Sequence, residues 1–157
     1  MNDKPKFDIT NLMINDIILF HDYPVQVEEL TSDDTVGFKY GGVFTNEPVD
    51  GDLDAIRIEG ALLCNSLFDY VEDELGGFYR RKDTRQIDGG SYTLYADMIW
   101  NQAFEWWDLN IYNPDIEENH VMVPELKTSV RYLHQLQHMM KVYELDTIWD
   151  IPIDEEV

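Results

Sequence analysis

The sequence predicts an α+β fold in one compact domain, residues 1–157, with a small antiparallel barrel or sheet, a central mixed region and a C-terminal amphipathic helix. Two hydrophobic periods carry this prediction. Between residues 9 and 45, apolar and polar residues alternate in short segments, as in half-buried strands; between 126 and 145, apolar residues recur every three or four positions, as in a helix. Hydrophobic residues make up 44% of the chain and aromatic residues 13%, which is enough for a core.

The first 45 residues are predicted to form short strands joined by tight turns. Residues 1–8 are an expected frayed lead, and an apolar run follows at 14–20. Asp and Pro within 21–24 favour a turn, after which 25–30 alternate and 35–40 supply another strand. Strands this short and this close together are typical of a small, strongly bent barrel or sheet.

The central region, 46–125, is predicted to contain a helix and a second β region. Gly, Pro, Asn and Asp accumulate over 41–54 and indicate a linker or long loop, whereas 54–68 has helical spacing. Asp-Gly-Gly-Ser at 88–91 is a hairpin signal. Residues 92–111 are rich in aromatic and β-branched side chains, and both strand and helix remain open there. Asn-Pro at 113–114 is expected to end this region, with a polar loop at 115–120.

The clearest predicted helix spans 126–145. Its apolar stripe consists of Val130, Leu133, Leu136, Met140 and Tyr143. Thr128 or Ser129 is suited to cap its start. We expect the helix to pack on the N-terminal strands through Leu133, Leu136 and Met140, and an acidic tail to follow at 146–157.

Net charge is the strongest compositional signal. The chain has 32 acidic and 11 basic residues, for a formal charge of −21. Direct nucleic-acid binding is excluded, because phosphate contacts require clustered Lys and Arg. A basic partner protein, such as a nuclease, is favoured if the acidity is functional. The alternative is that the acidity only serves solubility.

Cysteine usage and hydropathy indicate a cytoplasmic protein. Cys64 is the only cysteine, so an intramolecular disulfide is excluded, and its apolar surroundings predict a buried, inert thiol. Residues 1–8 lack the apolar segment of a signal peptide. No apolar run approaches the roughly 18 residues of a membrane span, and we therefore expect no membrane partner.

Three segments of the chain carry a family resemblance. Residues 12–19 read Leu-Met-Ile-Asn-Asp-Ile-Ile-Leu, and 23–27 read Tyr-Pro-Val-Gln-Val. They resemble the opening of a group of uncharacterised proteins from Bacteroidetes genomes and their phages, which reads Leu-Arg-Ile-Gly-Asn-Trp-Val and then Pro-Val-Lys-Val. Residues 130–137, Val-Arg-Tyr-Leu-His-Gln-Leu-Gln, resemble its Tyr-Val-His-Gln-Leu-Gln signature, and 56–68 its middle segment. The resemblance implies a phage or mobile-element origin and an SH3-like barrel over 9–45, but no activity.

His134 and His138 are the one candidate metal pair. Their i, i+4 spacing lets one helix face present both to a metal, but Gln135 stands where metalloprotease helices carry Glu. Another ligand would have to come from His21, His120 or a carboxylate. The alternative is that His134 packs and hydrogen-bonds within the fold. We predict no metal and no other cofactor.

Two further groups are candidate binding residues. Arg80, Arg81, Lys82 and Arg85 are four of the 11 basic residues. They are suited to hold a phosphate or carboxylate, although pairing with the protein's own acids is favoured. Trp100, Phe104 and Tyr112 form an aromatic cluster with Trp106 and Trp107. Because a strand cannot bury two adjacent indoles, one of Trp106 and Trp107 is predicted to be exposed, as binding residues are.

The sequence carries no phosphate-binding glycine loop, nucleophile elbow or paired-cysteine motif, so we predict that the protein is not an enzyme. The favoured function is that of a binding protein whose acidic surface imitates nucleic acid and inhibits a basic host defence protein. One alternative is a structural or accessory protein that oligomerises through exposed aromatics. The other is a metal-dependent hydrolase or small-ligand sponge that uses the histidines or the arginines.

Overall fold

The computed structural model describes residues 7, 9–74, 76–87, 89–118, 121–145, 149 and 151–153. The chain is mostly β-sheet with a few short helices, so the mixed class is confirmed at this coarse level. The sequence predicts one compact domain, whereas the contacts divide the chain into two compact units. Unit 1 contains the described residues of 1–58, 132–144 and 150–157, and unit 2 those of 59–131 and 145–149.

The elements follow one another along the chain. They are a 3-10 turn at Ile9–Asn11, β1 Ile17–Phe20, β2 Tyr23–Gln26, β3 Glu29–Leu30, β4 Thr35–Tyr40, β5 Val43–Pro48, β6 Leu53–Asp54, α1 Gly60–Cys64, β7 Asp69–Asp73, β8 Gly76–Ile87, β9 Gly90–Asn101, β10 Trp106–Glu118, β11 Val121–Val130 and α2 Leu133–Val142. All strand pairs are antiparallel. Among the described residues, no helix is long and apolar enough to cross a membrane.

Unit 1 contains two three-stranded sheets, in the orders β2-β1-β6 and β3-β4-β5. The strand predicted at 35–40 is confirmed as β4, in which Val36 and Phe38 are fully buried. Their core also includes Phe7, so this residue of the expected frayed lead is packed. The SH3-like barrel is not confirmed, because the sheets are open.

The linker predicted at 41–54 is wrong, because β5 and β6 occupy most of it. Gly41 and Gly42 have φ angles of 60° and 80°, the left-handed pair that a tight hairpin turn requires. Tyr40 and Val43 therefore face each other across the β4–β5 ladder. The glycines mark a two-residue turn between strands.

Unit 2 is built on one five-stranded sheet in the order β11-β10-β9-β8-β7. Residues 92–111, which the sequence left open between strand and helix, lie in β9, β10 and the turn between them. The hairpin predicted at 88–91 is confirmed by the pairing of Ile87 with Gly90. One sheet face carries the core: Leu94, Ala96, Met98, Leu109 and Ile111 are buried.

The helix predicted over 54–68 is wrong in extent. Only Gly60–Cys64 is helical, because the amide of Phe68 bonds the carbonyl oxygen of Leu63 at 3.1 Å and Leu67 adopts a φ of 69°, which closes the helix. Cys64, expected to be buried, is exposed. The side chain that this short helix buries is Leu63.

The helix predicted over 126–145 is wrong in its first third and its last three residues. Residues 121–130 form β11, with Val130 opposite Trp107 and Leu126 opposite Ile111. Helix α2 starts at Leu133, so neither Thr128 nor Ser129 caps it. Gln135 Oε1 accepts the amide of Tyr132 at 3.1 Å instead. The predicted burial of Leu133, Leu136 and Met140 is confirmed.

The predicted end of the β region at 113–114 and the loop predicted at 115–120 are wrong, because β10 continues to Glu118. Pro114 lies inside β10, where the register with β11 shifts between Tyr112 and Glu117. A strand tolerates proline at such an irregularity because a ladder hydrogen bond is already missing there. Residues 115–118 continue β10, and 119–120 lie outside the described residues. Of the predicted acidic tail, only 149 and 151–153 are described, without regular structure.

Candidate functional site

Two turns of unit 1 lie side by side and form an acidic end of the β3–β5 sheet. Its five carboxylates belong to Asp33, Asp34, Glu47, Asp50 and Asp52. The amide of Val49 bonds the carbonyl oxygen of Asp34 at 2.9 Å and joins the two turns. Thr31 and Thr35 close the first turn through their hydroxyls, 2.6 Å apart. The second turn is closed by the amide of Gly51 on the carbonyl oxygen of Pro48, at 2.8 Å.

The charge of the acidic end is not compensated locally. Four of its five carboxylates are exposed, and Glu47 is half-buried. Within the described part of the chain, none of the five forms an ion pair with Lys or Arg, and Asp52 pairs with His21. Residues 9–58 contain ten acidic residues but only two basic ones, Lys39 and Arg57. This surface is therefore a concentrated negative field on a hydrogen-bonded backbone.

A second site in unit 1 is a cleft of about 340 Å³ beside the start of α2. It is lined by Phe7, Thr10, Asn11, Tyr132, His134, Gln135 and His138. These side chains are the rings of Phe and Tyr, two imidazoles, one hydroxyl and two amides. We call this site the histidine cleft.

His138 is held by a buried carboxylate. Its Nε2 lies 2.7 Å from Oδ2 of Asp16, and the same oxygen accepts the amide of Met13 at 2.8 Å. The adjacent Gln137 accepts the amide of Ile17 at 2.9 Å and donates to the carbonyl oxygen of Asn15 at 3.1 Å. These bonds attach α2 to the start of β1, in agreement with the predicted packing of the helix on the N-terminal strands.

His134 is buried and uncharged. It is 5% exposed, and its ring lies 5.3 Å from that of Phe7 and 6.1 Å from that of Tyr132. Burial lowers the pKa of His134 to about 4; Asp16 opposes this shift and His138 adds to it. Among the described residues, Nδ1 of His134 has no hydrogen-bond partner. The expectation that His134 packs is confirmed, but the expected hydrogen bond is not found for this nitrogen.

The buried His134 makes the stability of the protein pH-dependent. Its folded-state pKa of about 4 lies below the ordinary 6.5, so the unfolded chain takes up the proton first as the pH falls. Stability present above pH 6.5 should therefore be lost between pH 6.5 and 4. Relative to His134→Phe, the natural chain should lose about 2–3 kcal/mol between pH 7 and 4.5. Urea unfolding at both pH values measures this; an equal pH slope in both chains would contradict it, and His21→Phe is the control.

His134 and His138 do not gain a third ligand for a metal. Their rings lie 5.9 Å apart, and Nε2 of His138 is engaged by Asp16. In the ranges that the structure describes, no three His, Cys, Asp or Glu side chains are grouped as a metal site requires. The suggested ligand His21 pairs with Asp52, and His120 lies outside the described residues.

The basic segment does not form one patch. It lies on β8, where neighbouring side chains point to opposite faces, so Arg80 and Lys82 lie on one face and Arg81 and Arg85 on the other. Arg85 Nε contacts Oδ2 of Asp83 at 3.1 Å. The favoured interpretation, pairing with the protein's own acids, is confirmed for Arg85 and for Arg80.

Arg80 belongs to a three-residue network on β8, β9 and β10. Its Nε and Nη2 donate to the two oxygens of Asp97 at 2.8 and 3.1 Å. Nη2 also donates to the hydroxyl of Tyr112 at 2.9 Å, and that hydroxyl donates to Asp97 at 2.6 Å. The bonds to Asp97 raise the pKa of Arg80, and burial, aided by Asp97, raises that of Tyr112. Both groups therefore hold their protons at neutral pH, and the network joins three strands.

The adjacent tryptophans point to opposite faces, as predicted for a strand. Trp107 is buried and Trp106 is half-buried. Trp106 stacks on Phe104 with ring centroids 4.7 Å apart, and the Arg131 guanidinium lies 5.6 Å from its ring. The most exposed aromatics here are Phe104 at 57% and Trp100 at 44%, rather than Trp106 itself.

Both unit 1 sites join residues that sequence reasoning kept apart. Asp16 and His138 are 122 positions apart in the chain, and no local pattern links them. Phe7 was the one local signal, an aromatic residue within an otherwise polar lead.

Comparisons with family models, curated proteins and solved structures gave no match.

Proposed function

We propose that this protein is a non-enzymatic binding protein whose acidic end engages a basic partner protein. The observation that supports this proposal is the set of five carboxylates on and beside two joined turns, none of which forms an ion pair with Lys or Arg among the described residues. Side chains that hold phosphates, Arg above all, also hold carboxylates. A nuclease of a host defence system is therefore the proposed class of partner, and a phage or mobile element the proposed origin.

The hydrogen-bonded turns favour such an interaction. Because the backbone bonds of the two turns exist before binding, less ordering is needed when a partner arrives. Exposed charges of one sign also accelerate encounter with a partner of opposite sign. The acidic end is thus suited to fast, salt-sensitive binding.

The proposal includes an SH3-like arrangement of unit 1. Its support is the way the chain passes from one sheet to the other after β2. The amide of Val27 donates to the carbonyl oxygen of Asp16, just before β1, at 2.8 Å. The next amide, that of Glu28, donates to the carbonyl oxygen of Gly37 in β4, also at 2.8 Å. One bent segment thus contributes to both ladders, as strands of small barrels do.

Charge reversal tests the proposed function. Capture from host lysate with mass spectrometry identifies the partner, and its Kd is then measured against salt concentration. The triple variant Asp33→Lys, Asp34→Lys, Asp50→Lys should weaken binding at least about tenfold at 0.1 M salt, where the Debye length is about 10 Å. Free DNA should compete for the partner.

The matched control reverses three exposed acids of unit 2. The variant Asp69→Lys, Glu72→Lys, Glu74→Lys changes the net charge by the same amount and should leave the Kd within about twofold, apart from the long-range field. Equal weakening by both triple variants would show that only net charge matters and would contradict a role for the acidic end.

Oligomerisation through aromatics remains the second candidate. The observation that favours it is the exposure of Phe104 and Trp100 near the turn between β9 and β10. An oligomer formed there would show a sedimentation mass that rises with concentration and falls in Phe104→Ser and Trp100→Ser. The acidic-end variant would leave that mass unchanged.

A further inference from the structure

The described residues that line the histidine cleft include no Lys, Arg, Asp or Glu. The nearby carboxylate of Asp16 is bonded to His138 and to the amide of Met13. His134 is neutral, since burial lowers its pKa well below 7. An ionic ligand would therefore lose its hydration without gaining a counter-charge.

The cleft contains a buried polar atom that lacks a partner. Nδ1 of His134 is inaccessible to solvent and has no hydrogen-bond partner in the described structure, although the residue is 5% exposed. Buried polar atoms in native proteins are nearly always hydrogen-bonded, and each exception calls for an explanation. Because this nitrogen is closed to solvent, a ligand in the cleft would bond it when the imidazole ring turns toward the cleft.

The walls of the cleft combine stacking surfaces with a hydrogen-bonding edge. The ring of Tyr132 is almost parallel to that of His134, at 10°, while the ring of Phe7 meets it edge-on at 67°. The exposed amide of Asn11 lies at the same cleft. Aromatic rings stack on the faces of planar heterocycles, and Asn amides recognise their donor and acceptor edges.

We propose that the histidine cleft binds an uncharged, planar nitrogen heterocycle of nucleobase size, as the free base or as its nucleoside. The volume of about 340 Å³ lies within the range of small-molecule sites. Phe7 and Tyr132 supply apolar surface, and His134 and Asn11 supply hydrogen bonds to the edge of the ring. This site is separate from the acidic end and does not depend on its partner.

The test is a titration of the full chain followed by calorimetry and by NMR of the histidine ring protons. The probes are adenine, uracil, adenosine, guanosine, cytidine, uridine and adenosine monophosphate. At least one base or nucleoside should bind with 1:1 stoichiometry and a Kd of about 1 mM or tighter, and should shift the His134 ring protons. The monophosphate should bind at least about tenfold more weakly than adenosine, because the chain carries a charge of −21 and the described lining of the cleft contains no Lys or Arg.

Variants assign the binding to the cleft. His134→Phe keeps a ring and removes both nitrogens, and should weaken binding at least about tenfold, in line with the loss of a buried hydrogen bond. Asn11→Ala changes an exposed residue, so it keeps the test decisive if His134→Phe does not fold, and should weaken binding severalfold. His21→Phe, which removes an exposed histidine outside the cleft, should leave the Kd unchanged.

Each outcome bears on the proposal. Equal affinities for a base and its nucleoside would place recognition on the ring, and tighter nucleoside binding would add the sugar. Absence of saturable binding for every probe would overturn the proposal, as would binding that neither Asn11→Ala nor His134→Phe weakens. A monophosphate that binds as tightly as adenosine would overturn the uncharged ligand class. None of these results depends on whether the acidic end binds a protein.

Discussion

Replacing Phe38 with alanine should lower the free energy of unfolding by about 3–5 kcal/mol, the range found for large aromatic side chains removed from a core. Phe38 lies in β4 and is fully buried, and its ring lies 4.9 Å from that of Phe20. The substitution removes buried apolar surface and leaves a cavity that the surrounding core side chains fill only in part. Urea unfolding followed by circular dichroism measures the loss.

Phe44→Ala is the matched control for this prediction. Phe44 lies on the neighbouring strand β5 and is 47% exposed, and its ring lies against Gly37. Because about half of the side chain already contacts water, its removal should cost no more than about 1 kcal/mol. Equal losses for Phe38→Ala and Phe44→Ala would mean that the core of unit 1 is not where the structure places it.

Asp97→Ala should destabilise the protein by about 3 kcal/mol, because it leaves a charged group and a hydroxyl without their main partner. The side chains of Asp97 and Arg80 are 8% and 25% exposed, and Tyr112 is 5% exposed. Without the carboxylate, the Arg80 guanidinium keeps only the Tyr112 hydroxyl and the face of Tyr95, 4.2 Å from its ring. Thermal and urea unfolding at pH 7 measure the effect.

The control for Asp97 is Asp69, which faces Arg80 from the other side. Asp69 lies opposite Arg80 in the β7–β8 register but is exposed and forms no ion pair with Lys or Arg within the described ranges. Asp69→Ala should therefore change stability by less than about 0.5 kcal/mol. If Asp69→Ala lowers the free energy of unfolding as much as Asp97→Ala does, then the position opposite Arg80, and not the buried hydrogen bonds, determines the loss of stability.

The fold prediction succeeded for the strand at 35–40 and failed at 126–130, where two periods were compatible. Val130 belongs to the predicted apolar stripe of a helix, but Leu126, Thr128 and Val130 also alternate with exposed residues. The strand forms because β10 offers them a ladder, which supplies backbone hydrogen bonds and places Val130 against Trp107. No short window of sequence contains that information.

The candidate sites show the same limit. The basic residues at 80–85 are close together in sequence, but the alternation of β8 separates them onto two faces. Asp97 reaches Arg80 from 17 positions away because β9 runs antiparallel beside β8. Among 32 acidic residues, sequence alone could not select Asp97 or Asp16 as the buried ones.

Two properties of this protein follow from its residues without reference to the fold. They are the charge of −21 and the hairpin at 88–91, because composition and turn preferences are local. The acidic end, the Arg80–Asp97–Tyr112 network and the histidine cleft are different. They join residues from distant segments of the chain. These residues become neighbours only when strand pairing and core burial select one set of long-range contacts from the many alternative pairings that similar segments would allow.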